Sequence, residues 1–163
     1  MPETETTDSH ASTRDKNDLK SGRLLALDLG QRRVGVAVSD ELRLTVSPQT
    51  PLSRTNWKQL LLDVARALKS FDAKGLVIGL PLNMDGSEGF AAQEARRLAA
   101  NFEKSLNVPV YLQDERLTSV EAEATLRAAK HTDAEIRGLL DSEAARIILR
   151  DFIAREQHSN NPL

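Results

Sequence analysis

The stretch that most constrains this chain is Leu24 to Asp40, LLALDLGQRRVGVAVSD. Four apolar residues, Leu24 to Leu27, run directly into Asp28; Gly30 opens a short turn, and a second apolar run follows from Val34 to Val38. Near-continuous apolar runs of this length suit strands buried on both faces, so the two are expected to form a hairpin inside a covered sheet. A carboxylate at the end of such a strand is costly to bury unless it is paired or holds a cation. Asp28 therefore reads either as the first residue of an Asp/Gly turn or as a ligand, and the residues that follow bear on the choice.

Leu42 to Ser47 alternates apolar and polar residues and stops at Pro48, which predicts a third, half-exposed strand followed by a loop over 48–56. A helix is expected over 56–70, with Trp57, Leu60, Leu61, Val64 and Leu68 on one face. The apolar run 75–80 predicts a strand that ends in PLNMDGSEG, where Gly86 and Gly89 allow close backbone approach. A helix over 90–106 follows, with Ala91, Ala95, Leu98, Ala99, Phe102 and Leu106 inward. Its N-terminus reads as an ordinary strand-to-helix connection or as a phosphate cradle. The strand 108–113 leads into Asp114, Glu115 and Arg116; Thr118 and Glu121 are spaced as a capping box for a helix to about Lys130. Residues 131–140 read as one capped turn or a loop, and a last helix is expected over 141–155. Three antiparallel strands and then two parallel ones, joined through right-handed crossovers, make an α/β fold: a five-stranded mixed sheet flanked by helices.

Such a sheet gathers acids from three places in the chain. Asp28 ends the first strand, Asp114 and Glu115 end the last, and the carboxyl ends of parallel strands share the edge where α/β sheets bind ligands. Asp141 precedes Ala144, Ala145, Ile148 and Phe152 at helical spacing, so it falls on the face of the last helix that packs on the sheet. As a single residue Asp141 also suits a helix N-cap. Converging acids repel one another unless a cation intervenes. With no cysteine in the chain and its three histidines in tails or polar stretches, ligands are oxygens, which suit Mg²⁺ or Mn²⁺. Carboxylates that hold two such ions fit phosphodiester hydrolysis. Arg32, Arg33 and Arg116 lie next to the acids in sequence, placed either to hold flanking phosphates or as solvated surface side chains.

The bulk composition is less specific. The 163 residues fit one domain, no apolar run spans a bilayer, and the absence of cysteine fits a reducing cytoplasm. Residues 1–22 are polar, carry five acids and three bases, and lack the apolar core of a signal peptide; they are expected to be a disordered tail, as are residues 156–163. That leaves residues 23–155 as the folded domain, near neutral in charge, so a nucleic-acid partner would depend on local bases and metal rather than on net charge.

Four segments, LALDLGQRRVGVAVSD (25–40), VIGLPLNMDGSEG (77–89), VYLQDERLTSVEA (110–122) and DSEAARIIL (141–149), resemble in order and spacing the YqgF/RuvX family, bacterial relatives of the RuvC resolvase. The resemblance implies a ribonuclease H-like fold over residues 23–155. It implies catalytic and metal-binding acids at Asp28, Glu115 and Asp141, with Asp114 beside them as a further metal ligand. It also implies a metal-dependent endonuclease of structured nucleic acid, acting on four-way DNA junctions or at the 5′ end of pre-16S ribosomal RNA. Symmetric cutting of a junction would require a homodimer. Two other readings stand beside it. LDLGQRRVG is also similar to the opening of actin/sugar-kinase-like ATP-binding proteins, although 163 residues hold no second copy of such a domain. A catalytically silent nucleic-acid-binding module would leave the acids to repel a phosphate backbone.

Overall fold

The computed structural model describes residues 21–116, 118–129 and 132–159. Nine elements follow in order: β1 (Arg23–Leu29), β2 (Arg33–Ser39), β3 (Val46–Ser53), α1 (Trp57–Ser70), β4 (Ala73–Leu80), α2 (Phe90–Ser105), β5 (Val110–Asp114), α3 (Thr118–Ala128) and α4 (Asp133–Ser159). The five strands form one sheet in the order β3-β2-β1-β4-β5, with β1 and β2 and β2 and β3 antiparallel, and β1 and β4 and β4 and β5 parallel. This is the mixed sheet expected from the sequence. Because β1 is central, Asp28 stands at its C-terminal end with a strand on either side.

The two faces are covered by different helices. Leu25 and Leu27 of β1 and Leu76 and Ile78 of β4 pack with Leu60, Val64 and Leu68 of α1 and Leu98 and Phe102 of α2. Leu24, Ala26 and Val77 point the other way, against Ala145, Ile148, Leu149 and Phe152 of α4. The period of two along a strand therefore puts Asp28, two residues after Ala26, on the α4 face. Asn56 caps α1 by accepting from the Gln59 N–H at 2.9 Å. In α2 the buried first-turn alanine is Ala92, not Ala91. Ala144 turns toward α3, packing with Ala122 and Ile147, while Ala145 takes the sheet-facing position.

Two expected elements move. The third strand lies at Val46–Ser53, through both Pro48 and Pro51, rather than at 42–47. An edge strand tolerates proline because half of its N–H groups have no ladder partner. Leu42 and Leu44, despite their alternation, lie 72% and 73% exposed in a turn closed by the Asp40 carboxylate, which accepts from the N–H groups of Leu44 and Thr45. The last helix is one 27-residue element from Asp133, so Asp141 lies two turns inside it and is not its N-cap. The same helix includes residues 156–159, expected to be tail. The polar N-terminal stretch before residue 21 and residues 160–163 lie outside the described residues, as do the side chains of Thr118 and Glu121. Among the described residues no helix is long and apolar enough to cross a membrane.

Candidate active site

Asp28 has a glycine on each side in the sheet. Gly35 of β2 is its register partner, and Gly79 of β4 follows Ile78, the partner of Leu27. Glu115 leaves the end of β5 with its N–H donating to the Leu80 carbonyl at 3.1 Å, and its carboxylate folds back over Gly79. A Cβ at Gly79 would overlap Glu115 Oε2 and come within 2.7 Å of Ile148 Cδ1. The missing side chain is thus the space through which Glu115 reaches Asp28. A glycine inside a strand marks such an approach. The signal is present in the sequence at VIGL, where Gly79 interrupts an apolar strand run.

Burial pushes the Glu115 carboxyl up to about 9, helped by the charge of Asp28, a side-chain hydrogen bond with Asp28, and the charge of Asp114. Among the described residues the charges acting on it, those of Asp28 and Asp114, are both negative. Two carboxylates in contact, half-withdrawn from water, must either share a proton or share a cation. An all-oxygen pair of this kind fits a hard divalent ion better than a soft one. Among the described side chains no three carboxylates or imidazoles gather closely enough to hold a metal, and the Asp141 side chain lies outside the described residues.

Asp114 is differently engaged. Its carboxylate accepts from the Arg116 N–H at 2.9 Å and from Arg116 Nε at 2.8 Å. Burial raises its pKa, but those hydrogen bonds and the charges of Arg116 and Arg155 outweigh it and hold the group below the usual carboxylate range. Arg116 also reaches the Met84 carbonyl at 3.4 Å, tying the β4–α2 loop to the end of β5. That loop satisfies itself: Asn83 N–H donates to the Ser87 carbonyl, Gly86 N–H to the Asn83 carbonyl, and Ser87 N–H to the Asp85 carboxylate. Arg32 and Arg33 are exposed on the β1–β2 turn.

Two residues that sequence reading passed over hold the site in place. Arg54 donates to the Gly30 carbonyl at 2.8 Å and to Glu94 at 2.6 Å, while its N–H donates to the Arg32 carbonyl, so the turn after Asp28 is braced against α2. Ser142, 4% exposed, accepts from the Val36 N–H at 3.4 Å and donates to the Gln49 carbonyl at 2.6 Å. The β2–β3 register slips between Val34 and Val36, and the Ser142 hydroxyl fills the gap that this irregularity leaves in the ladder. Val36 adjoins Gly35, the partner of Asp28, so Ser142 fixes the Asp141 backbone beside the site. Ser142→Ala leaves the buried Val36 N–H and the half-buried Gln49 carbonyl without this partner. It is expected to cost about 1–3 kcal/mol in urea unfolding, and Ser142→Thr, which keeps the hydroxyl, should recover part of the loss.

The sheet order, the helix-covered faces and the carboxylates at the end of the central strand define a ribonuclease H-like protein. The model of the family described as RuvX, Holliday junction resolvase, matches residues 22–155. The chain belongs to that family. A relative from Anaeromyxobacter dehalogenans, provisionally named a pre-16S rRNA nuclease, is 44% identical over 133 residues, 82% of this chain and 97% of its own length. One from Picosynechococcus, with the same provisional name, is 38% identical over 144 residues, covering 88% of this chain and all of its own. Among solved structures, Thermus thermophilus RuvC in complex with Holliday junction substrate shares the fold at TM-score 0.52 and 15% identity, over 87% of this chain and 99% of that one.

Proposed function

We propose that this protein is a divalent-metal-dependent endonuclease that hydrolyses phosphodiester bonds in structured nucleic acid. The observation that carries the reading is the contact of Asp28 and Glu115 over Gly79, two half-buried carboxylates, with the charges of Asp28 and Asp114 both acting against ionisation of Glu115. Asp28, Glu115 and Asp141 would hold Mg²⁺ or Mn²⁺. When bound, such ions supply an attacking water of lowered pKa and positive charge opposite the phosphodiester oxygens. The protein's own part is positioning: Gly79 admits Glu115, Ser142 fixes the α4 backbone, and Arg54 braces the turn. Asp114 acts through Arg116 rather than as a ligand, and Arg32, Arg33 and Arg116 face the substrate backbone. A cytoplasmic location and a homodimer on a junction belong to the same proposal.

The family description names Holliday junctions and the relatives' names point to pre-16S rRNA, so both are tested together. The unmodified chain is incubated with Mn²⁺ or Mg²⁺ and either a synthetic four-way DNA junction or a pre-16S leader RNA. Cleavage of one identifies the substrate. Cleavage of neither, with metal present, sinks the nuclease reading.

The ionisation of Glu115 gives a metal-free readout. Its folded pKa lies above the usual 4.5, so the protonated form belongs to the folded state. Stability is then full below pH 4.5 and falls as pH rises toward about 9, by at most about 1.4 kcal/mol per pH unit. In EDTA, Tm is expected to drop between pH 5.5 and 8.5, and Glu115→Gln should flatten the drop. A native profile as flat as that of Glu115→Gln would contradict the buried pair.

A further inference from the structure

A second feature lies along the outer edge of β5, where Tyr111, Gln113 and Glu115 alternate onto the face of α4. The Tyr111 ring packs on Phe152 at 5.1 Å between centroids. One turn further along α4, Arg155 Nη1 donates to Gln113 Oε1 at 3.2 Å, and Gln113 Nε2 donates to the Asp114 carbonyl at 3.3 Å. Gln113 is 4% exposed, so a buried neutral amide is spent on orienting a surface guanidinium.

Open cavities lie on both sides of Arg155. One, of about 580 Å³, is walled by Met84, Asp114 and Arg116; the other, of about 570 Å³, by Asp151 and His158. The acids in these walls pair with other arginines, Asp114 with Arg116 at 2.7 Å and Asp151 with Arg150 at 2.9 Å, and Asp114 meets Arg155 only through its charge. Among the described residues Arg155 is held by Gln113 and not by a carboxylate. A guanidinium oriented by an amide keeps its full charge and its remaining donors, which suits a phosphate oxyanion.

We propose that Arg155, oriented by Gln113, contacts a backbone phosphate of the strand flanking the cleaved bond, so that the substrate runs along the β5 edge from Glu115 past Arg116 to Arg155. This rests on the endonuclease reading. Gln113 lies two residues from Glu115, about 7 Å along the strand. At about 3.4 Å of axial rise per nucleotide, that is roughly two nucleotides.

The test measures binding of fluorescein-labelled four-way DNA junction and pre-16S leader RNA by anisotropy, in Mg²⁺ and in rising KCl. The full chain carries Asp28→Asn so that binding is read without cleavage. Arg155→Gln is expected to lower the slope of log affinity against log salt by about 0.7–0.9, the loss of one phosphate contact. Arg155→Lys should keep the slope. Gln113→Glu, which neutralises the guanidinium in place, should lower it as Arg155→Gln does. An unchanged slope in Arg155→Gln, whether or not affinity or Tm falls, overturns the proposal and leaves Arg155 a packing residue. If the unmodified chain cleaves a substrate while that slope is unchanged, the endonuclease reading survives alone. If it neither binds nor cleaves, both fail.

Discussion

Asp28→Asn is expected to reduce cleavage about a thousandfold or more while raising the melting temperature of the metal-free protein. The two effects have one cause. Among the described residues the charge of Asp28 acts on Glu115 more strongly than that of Asp114, and Asp28 shares a hydrogen bond with it. In the absence of metal that pairing is unfavourable at neutral pH, because one carboxylate must be protonated or the two must repel. An amide keeps the shape and can donate to Glu115, so stability should rise by about 1 kcal/mol, or about 2–4 °C for a chain of this size. The same amide cannot share a cation, and removing such electrostatic help at a reacting phosphate costs orders of magnitude. The stabilisation that Mn²⁺ gives the native protein should shrink in the variant. Glu41→Gln, at an exposed acid outside the site, should leave all of these near native values. A variant that melts lower than the native protein and cleaves within tenfold of it would reduce Asp28 to a turn residue.

Gly79→Ala is expected to be the second large effect, from a residue with no chemistry of its own. The added Cβ would overlap Glu115 Oε2 and lie 2.7 Å from Ile148 Cδ1. Glu115 can swing away, since its end is flexible; Ile148, fully buried between α4 and the sheet, cannot do so cheaply. Overpacking of this kind costs about 1–3 kcal/mol. Activity should fall about a hundredfold, because Glu115 no longer meets Asp28. The double variant Gly79→Ala with Ile148→Val separates the two contacts. Trimming Cδ1 should return most of the stability and little of the cleavage. If activity returns together with stability, the glycine serves packing alone.

Much of this was legible along the chain. The apolar runs of β1, β2 and β4 are long and undiluted, so their burial on both faces and their order were readable from periodicity. The same holds for Asp28, which stands out as the one carboxylate in the apolar run from Leu24 to Leu29. What misled was local resemblance. Leu42 to Ser47 alternates like a strand, yet Asp40 draws its backbone into a turn, and β3 starts later through two prolines that an edge strand tolerates. The last helix was expected to open at Asp141, where an acid also suits an N-cap; α4 instead begins eight residues earlier. Gly79 shows in the sequence only as a glycine inside an apolar strand, and Ser142, Arg54 and Arg155 had no reading there, since each acts on a partner far along the chain.

The sequence by itself determined which residues carry charge at strand ends, which faces are apolar, and the family to which their order and spacing belong. Those properties are local or periodic, set by side-chain chemistry and by repeats of two or of 3.6 residues. Only the tertiary structure decided that Glu115, rather than its neighbour Asp114, turns toward Asp28. Successive residues of a strand face opposite ways, and the space over Gly79 exists only once β4 lies between β1 and β5. The register slip between β2 and β3 is likewise a property of paired strands, and it alone gives the Ser142 hydroxyl two backbone groups to hold. The site's acids are therefore written in the chain, while their distances from one another are set by glycines, a register slip and a helix crossing that become visible only when strands distant in sequence are laid side by side.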